Sequence, residues 1–263
     1  MSIATIEEGI EEIRNGRMVI LVNEDAPDSD GFFCLAAEKV SAESINYMMH
    51  HGRGIIYVTL TDERIRELCI PMVPEENSPL SGLLCGASFS VNLPGVHGVS
   101  AQGRAHTIRA VISEQAKPGN LVIPGNVQPL QARTGGVLAR SGRTDASVDL
   151  ARLAGFVPAG VICQILEADG SIALLPSLER LVEREGLKVL SVASLIAYRL
   201  RTESLVTRVA EEEFPTIHGG KYRAIVYRNA VDGAEHMALV KGDVSSAASI
   251  LVRLHSECLT GDV

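Results

Sequence analysis

The sequence predicts an α/β fold in which helices cover a mixed sheet, followed by a short C-terminal β segment. Continuous apolar runs such as residues 18–22 and 161–166 are typical of buried strands. Apolar residues spaced three and four apart, as in residues 3–15, are typical of amphipathic helices. The two kinds of run alternate along residues 1–202, which favours a sheet covered by helices.

The first elements follow from local patterns. Isoleucines at helical spacing predict a helix over residues 3–15, and Thr5 with Glu8 can form a capping box at its start. The strand at 18–22 follows after Gly16. An acidic loop then leads into a second strand at 32–37.

The later elements of this region are predicted by apolar runs bounded by Gly and Pro residues. Further strands are expected at 55–59, 87–92, 161–166 and 187–190. Further helices are expected at 41–51, 62–69, 105–115, 145–154, 177–185 and 191–200. Together they predict one α/β domain over residues 1–202.

The composition changes after residue 202. An acidic stretch at 208–213 is followed by a joint at 214–216. Strand-like runs then occur at 222–228, 236–241 and 250–255. Three strands with no helix of their own make a poor core, so residues 203–263 are expected to be an incomplete β segment.

Composition excludes several classes of function. The net charge of -8 argues against a nucleic-acid partner and against a polybasic membrane contact. The five cysteines are scattered and form no Cys-x-x-Cys pair, which is typical of a reducing compartment. No apolar run reaches the ~18 residues that a membrane span needs, and the N-terminus lacks a signal pattern. We therefore expect a cytoplasmic protein.

The Gly- and Arg-rich stretch 124–145 leads as a loop into the next helix. Glycine lets backbone N–H groups approach a ligand, and a helix N-terminus favours negative charge. Residues 140–145 add two guanidiniums, a hydroxyl and a carboxylate, which suits a small anionic ligand. The alternative is a polar loop that only caps the helix through Thr144 or Asp145. The stretch alone leaves both interpretations open.

Several motifs along residues 1–200 occur together. They include His51-Gly-Arg-Gly-Ile, Gly98-Val-Ser-Ala, Gly135-Gly-Val-Leu, Asp149-Leu-Ala-Arg-Leu-Ala-Gly and Pro158-Ala-Gly-Val-Ile-Cys163. This region resembles the 3,4-dihydroxy-2-butanone 4-phosphate synthase family, which acts on ribulose 5-phosphate. The resemblance implies a homodimer, a divalent metal that is usually magnesium, and an active site shared at the subunit interface.

The resemblance also locates the active-site positions. The catalytic candidates are Asp28, Asp30, Tyr57, Arg143, Asp145 and Gln164. The substrate-binding candidates are Phe32, Arg104, Asn126, Arg140 and Thr144. Many of them depart from the family pattern, in which Asn126 and Arg143 are histidines and Gln164 is an acid/base glutamate. Tyr57 replaces a cysteine, and it either exchanges protons or only fills space.

These departures change the expected chemistry. Asn126 and Gln164 cannot exchange protons near neutral pH, and Arg143 cannot ligate a metal. With Asp28 as the surviving direct ligand, magnesium binding is expected to be weak at best. We therefore expect no cofactor, with Arg143 facing Asp28 and Asp30 in the cation's place.

Residues 214–263 resemble the first strands of GTP cyclohydrolase II, through Phe214-Pro-Thr and the runs 233–242 and 252–262. Of the zinc-binding cysteines that the resemblance implies, Cys258 alone is present. Because a catalytic zinc needs three protein ligands, we expect neither zinc nor cyclohydrolase activity.

Three functions fit these observations, in the order given. The first is an enzyme that binds a sugar phosphate or other small anion and runs altered, metal-independent chemistry. The second is a non-catalytic binding or regulatory partner of an active synthase in riboflavin biosynthesis. The third is an atypical synthase that converts ribulose 5-phosphate to 3,4-dihydroxy-2-butanone 4-phosphate and formate.

Overall fold

The computed structural model describes residues 3–23, 29–74, 83–92, 95, 97–216, 219–245 and 249–256. The chain divides into two compact units, Met1–Glu203 and Ser204–Val263. The functional domains proposed at 1–202 and 203–263 stay a prediction. Within the described ranges, no helix is long and apolar enough to cross a bilayer.

The first unit alternates helices and strands. Its helices are α1 (Ile6–Arg14), α2 (Ala42–Tyr47), α3 (Asp62–Glu67), α4 (Ala101–Ile112), α5 (Arg143–Leu153), α6 (Leu175–Glu185) and α7 (Val192–Thr202). Its strands are β1 (Val19–Val22), β2 (Gly31–Ala36), β3 (Arg53–Thr61), β4 (Leu84–Cys85), β5 (Phe89–Val91), β6 (Leu121–Ala132), β7 (Ala159–Ile165) and β8 (Lys188–Ser191).

These strands form one mixed sheet in the order β4-β6-β3-β7-β2-β1-β8, with β5 paired to β6. The pairs β1–β8 and β3–β6 are parallel, whereas β2 and β3 both run antiparallel to β7. The mixed sheet covered by helices confirms the predicted fold class.

The sheet carries an apolar core on each face. On one face, Phe33 of β2 packs in a cluster with residues of α2, α4 and α6. On the other face, Ile162 of β7 packs in a cluster with Leu150 of α5 and with α1. Because side chains alternate along a strand, each central strand contributes to both cores. Helix α5 thus packs on this second face of the sheet, together with α1.

The start of α1 is as predicted. The backbone N–H of Glu8 donates to the Thr5 hydroxyl at 3.2 Å, and the N–H of Thr5 donates to the Glu8 carboxylate at 2.9 Å. This capping box is confirmed, and Ile10 and Ile13 are buried as the spacing predicts.

The start of α5 differs from the prediction. Its N-cap is Gly142, whereas the sequence suggests Thr144 or Asp145. Asp145 does not cap the helix because its carboxylate accepts hydrogen bonds from the Arg133 N–H and from Nε of Arg140, both at 2.7 Å. The side chain is therefore turned back onto the preceding loop.

Strand β6 also differs, since the sequence predicts a loop from residue 124. Its buried residues Val127, Leu130 and Ala132 pack into the core, and its last residues pair in parallel with β3. Burial of these side chains outweighs the weak strand propensity of Pro and Gly in the same segment.

Gly125 lies where β6 approaches the backbone of β5. A Cβ atom at this position would lie 2.0 Å from the carbonyl carbon of Phe89 and 2.1 Å from the amide nitrogen of Ser90. We expect Gly125→Ala to lower the free energy of unfolding by about 2 kcal/mol, because two backbones would have to separate. Gly119→Ala is the control, since no atom lies within 4 Å of its Cβ position. Equal thermal midpoints for the two variants would contradict this.

The second unit is a three-stranded antiparallel sheet of β9 (Val206–Thr216), β10 (Gly220–Asn229) and β11 (Glu235–Val240), in the order β11-β10-β9. The sequence predicts β10 and β11 but not β9. The charged residues of β9 lack the apolar pattern by which a strand is recognised. The strand predicted at 250–255 is wrong, because these residues lie exposed and outside any strand.

Candidate active site

An arginine, a carboxylate and an amide meet beside the first turn of α5. Arg143 begins α5, and its Nη2 donates to a carboxylate oxygen of Asp30 and, at 3.1 Å, to the Asp30 carbonyl oxygen. The second carboxylate oxygen of Asp30 accepts from Nε2 of Gln164 at 2.9 Å. The guanidinium carbon of Arg143 lies 4.8 Å from the centre of the Phe32 ring. The structure therefore brings four predicted site residues together.

The strand pattern explains why these residues share a face. Phe32 pairs with Gln164 across β2 and β7, and the Tyr57 side chain packs in the same apolar cluster as Phe32. Alternation places their neighbours Phe33 and Cys163 in the opposite core. The site thus lies on the α5 face of the sheet.

Arg143 keeps a donor free for a ligand. Its Nε is buried and has no hydrogen-bond partner among the described residues. Burial lowers the pKa of the Arg143 guanidinium, and the Asp30 carboxylate partly offsets this effect. An arginine remains charged at any physiological pH even so. Because buried donors are normally paired, the free Nε indicates a position for a ligand oxygen or a water.

We expect Arg143→Gln to lower the free energy of unfolding by about 1–2 kcal/mol, because hydrogen bonds to charged groups contribute about 1.5–3 kcal/mol and this pair is partly exposed. Arg66→Gln is the control, since Arg66 and its partner Asp62 lie farther out in solvent. The control should change stability by less than about 1 kcal/mol. Urea unfolding measures both, and a smaller loss for Arg143→Gln than for the control would refute the assignment.

Arg140 and Asp145 form a second ion pair close by. Nε of Arg140 donates to Asp145 at 2.7 Å, and its Nη2 donates to the Gln131 carbonyl oxygen at 3.0 Å. Asp145 is fully buried and Thr144 is nearly so. These contacts give Asp145 a structural role in the described loop. Its predicted catalytic role stays a prediction, as do the substrate contacts of Arg140 and Thr144.

Asn126 and Arg104 lie together at another place. Nη1 of Arg104 donates to the Asn126 carbonyl oxygen at 2.7 Å, and the Asn126 N–H donates to the Ser90 hydroxyl at 3.0 Å. Burial lowers the pKa of Arg104. The hydrogen bonds of this pair tie β6 to β5 and α4, rather than to the Asp30 group.

Tyr57 lies half-buried on β3, opposite Gln128 and Ile162. Burial raises the pKa of its hydroxyl, and the neighbouring thiols of Cys85 and Cys163 raise it further. The phenol therefore stays protonated near neutral pH and can donate a hydrogen bond, but it does not serve as a base.

Asp149 and Arg199 position the loop before α5, although the sequence analysis predicts no role for either. Asp149 accepts from the Val137 N–H at 2.8 Å and from Nη1 of Arg199 at 2.7 Å. The same Nη1 donates to the Gly135 carbonyl oxygen at 2.8 Å. For Asp149 a signal is present in the sequence, since this carboxylate begins one of the family motifs given above.

The described residues do not by themselves form a site for a divalent cation. They contain no cluster of three or more His, Cys, Asp or Glu side chains that could hold a metal. The carboxylate of Asp30 already accepts from Arg143 and Gln164. Asp28 and Cys258 lie outside the described residues. A metal here would need ligands beyond the described side chains, such as substrate oxygens and water.

The chain matches two family models. The model of 3,4-dihydroxy-2-butanone 4-phosphate synthase matches residues 7–198, and that of GTP cyclohydrolase II matches residues 207–263. The riboflavin biosynthesis protein RibBA of Aquifex aeolicus is 47% identical over 98% of this chain and 64% of its own length. A chloroplastic bifunctional riboflavin biosynthesis protein of Arabidopsis thaliana is 40% identical over 99% of this chain and 48% of its own. The chain thus spans less than two thirds of these relatives.

Solved structures of 3,4-dihydroxy-2-butanone 4-phosphate synthases are also similar to this chain. RibBX, a two-domain synthase from A. baumannii, is 39% identical with a TM-score of 0.78, and the match covers 91% of this chain and 70% of RibBX. A synthase solved in complex with two magnesium ions is 31% identical with a TM-score of 0.70, and the match covers 76% of this chain and 98% of that one.

These relatives overturn two predictions. The prediction of altered, metal-independent chemistry is wrong, because riboflavin biosynthesis proteins match nearly the whole chain at 40–47% identity. Substitutions at active-site positions do not establish a new reaction when the rest of the chain keeps the sequence and fold of the family. The prediction of no cofactor is wrong as well, because a synthase of this fold binds magnesium. The chain belongs to the 3,4-dihydroxy-2-butanone 4-phosphate synthase family of enzymes.

Proposed function

We propose that this chain converts ribulose 5-phosphate into 3,4-dihydroxy-2-butanone 4-phosphate and formate, and that it needs magnesium to do so. The observation that carries the proposal is 47% identity to RibBA of Aquifex aeolicus over 98% of the chain. We assign this reaction to residues 1–202, while residues 207–263 match the family model of GTP cyclohydrolase II.

The described side chains supply substrate binding and orientation. The free Nε of Arg143, at the N-terminus of α5, donates to an anionic oxygen of the substrate. Gln164 and Arg143 together hold the Asp30 carboxylate in one orientation. Tyr57 donates from its protonated hydroxyl on the same face. When bound, magnesium would supply a positive charge that polarises the substrate, and it would be held through substrate oxygens and water beside the Asp30 carboxylate.

A second candidate is a binding or regulatory partner that takes up the sugar phosphate without turnover. The observation in its favour is the Asp30–Arg143–Gln164 group itself. An amide and a guanidinium stand where proton transfer is needed, and neither titrates near neutral pH.

We further propose a cytoplasmic homodimer whose active sites lie at the subunit interface. Exposed apolar residues support the interface: Ile55 of β3 is 60% exposed, and Val122, on the same strand β6 as Asn126, is 51% exposed. The free thiols of Cys34, Cys69, Cys85 and Cys163 support a reducing compartment.

The test is to incubate the full chain with ribulose 5-phosphate and magnesium and to follow the products by proton NMR. The synthase proposal predicts formate and the butanone phosphate in equal amounts. Line broadening of the substrate without product would favour the second candidate instead.

A further inference from the structure

A polar cleft lies away from the Arg143 site. It has a volume of about 610 Å³. Its lining supplies hydrogen-bond donors from Asn46, Tyr47, His50, His51, Arg53 and Arg184. The cleft is built from the end of α2, the turn that follows it, and the last turn of α6.

The cleft and the candidate active site lie on opposite faces of the sheet. Tyr47 packs edge-on against Phe33, with 5.5 Å between the ring centres. Arg143 stacks on the neighbouring residue Phe32. Since adjacent residues of a strand point to opposite faces, the two sites are separated by the sheet.

The backbone beside the cleft is irregular. Residues Met48–Gly52 form a turn of π-helix, and Arg53 follows with a φ of 63°. A left-handed conformation is costly for an arginine, and π-helical turns are frequent at functional sites. Nη1 of Arg53 donates to the Leu166 carbonyl oxygen at 3.0 Å, which holds the side chain at the cleft.

The cleft contains a buried donor with no partner. The Tyr47 hydroxyl oxygen is buried, and no described residue accepts its hydrogen in hydrogen-bond geometry. Burial raises the pKa of Tyr47 to about 12, and the neighbouring Glu185 carboxylate raises it further, so the hydroxyl keeps its proton. Its ring stacks on His51 at 4.3 Å. An orphaned buried donor indicates that an acceptor from outside the chain belongs there.

The charges favour an anion as this acceptor. Arg53 and Arg184 bring two guanidiniums, and His50 and His51 add imidazole N–H donors. Glu43 also lines the cleft, and Arg184 pairs with Glu185 at 2.7 Å. We propose that this cleft binds the phosphate group of a small phosphorylated molecule, independently of the reaction at Arg143. A phosphate group has several oxygens, which can accept hydrogen bonds from the guanidinium, imidazole and phenol donors of the cleft at the same time.

The experiment titrates the full chain with inorganic phosphate and with pyrophosphate while the histidine ring signals are followed by NMR. Signals are assigned with the His50→Gln and His51→Gln variants. Saturable shifts of both rings in the millimolar range or below support the proposal. Arg53→Gln/Arg184→Gln should weaken this binding at least tenfold.

Two further variants keep the test decisive. Arg184→Gln leaves the backbone of Arg53 untouched and should weaken binding severalfold even if the double variant fails to fold. Arg143→Gln should leave the histidine shifts unchanged, because it alters the other face of the sheet. Absent shifts, or shifts that persist fully in Arg184→Gln, would overturn the proposal.

Discussion

Replacing Asp149 with alanine should lower the free energy of unfolding by about 3–5 kcal/mol, the usual cost of breaking a buried ion pair from one side. Asp149 and Arg199 are both nearly buried, with side-chain exposures of 6% and 8%. The variant would leave the Arg199 charge with Glu203 as its remaining carboxylate. It would also remove the acceptor of the Val137 N–H, and so release the turn that leads to α5.

The buried partners that Asp149 would leave unpaired explain why the loss is large. Burial raises the pKa of Asp149, while the Val137 N–H and Arg199 act in the opposite direction. The carboxylate therefore bears a desolvation cost that its partners must offset. Asp149→Asn, which keeps one acceptor and no charge, should cost less than Asp149→Ala. Arg152→Gln is the control: its side chain is 43% exposed, and we expect a change below about 1 kcal/mol. Denaturant unfolding that ranks Arg152→Gln with Asp149→Ala would contradict this network.

The second large effect concerns catalysis. Gln164→Glu should raise the rate of formate release by about 100-fold, which lies at the lower end of what a general acid or base contributes. The Gln164 amide lies 2.9 Å from Asp30, so the new carboxylate would share the Arg143 guanidinium with Asp30. Like charge raises the pKa of such a pair, which brings one proton within reach of neutral pH.

The comparison variant for this measurement is Gln131→Glu. Gln131 donates to Asp62 at 2.6 Å, so it also puts a new carboxylate beside an aspartate, but outside the Arg143 group. It should leave the rate unchanged. If Gln164→Glu is no faster than the parent chain, proton transfer at this position does not limit the reaction.

Much of the fold could be predicted because its signals are local. The isoleucines and the capping box of α1 lie within one helix, and the apolar runs of β1, β3 and β7 need no partner to be recognised. Strand β6 could not be predicted this way, since Pro124, Gly125 and Pro129 all argue against a strand. Its pairing with β3 and the burial of Val127 decide the outcome, and both are tertiary effects.

The site was predictable as a set of positions but not as contacts. The resemblance pointed to Asp30, Arg143 and Gln164, yet the interval of 113 residues between Asp30 and Arg143 says nothing of their ion pair. The predicted chemistry is wrong because it rests on the properties of each substituted side chain taken alone. A side chain that cannot ligate a metal does not exclude a metal held through the substrate and water.

Formate release from ribulose 5-phosphate, with magnesium and with the ion removed by a chelator, tests the central claim most directly. The assay uses the full chain, and Arg66→Gln serves as a variant that lies apart from the Arg143 group. We expect steady formate release in magnesium, its loss in chelator and its recovery when magnesium is restored. Release that is equal with and without magnesium, or no release under either condition, would contradict the account.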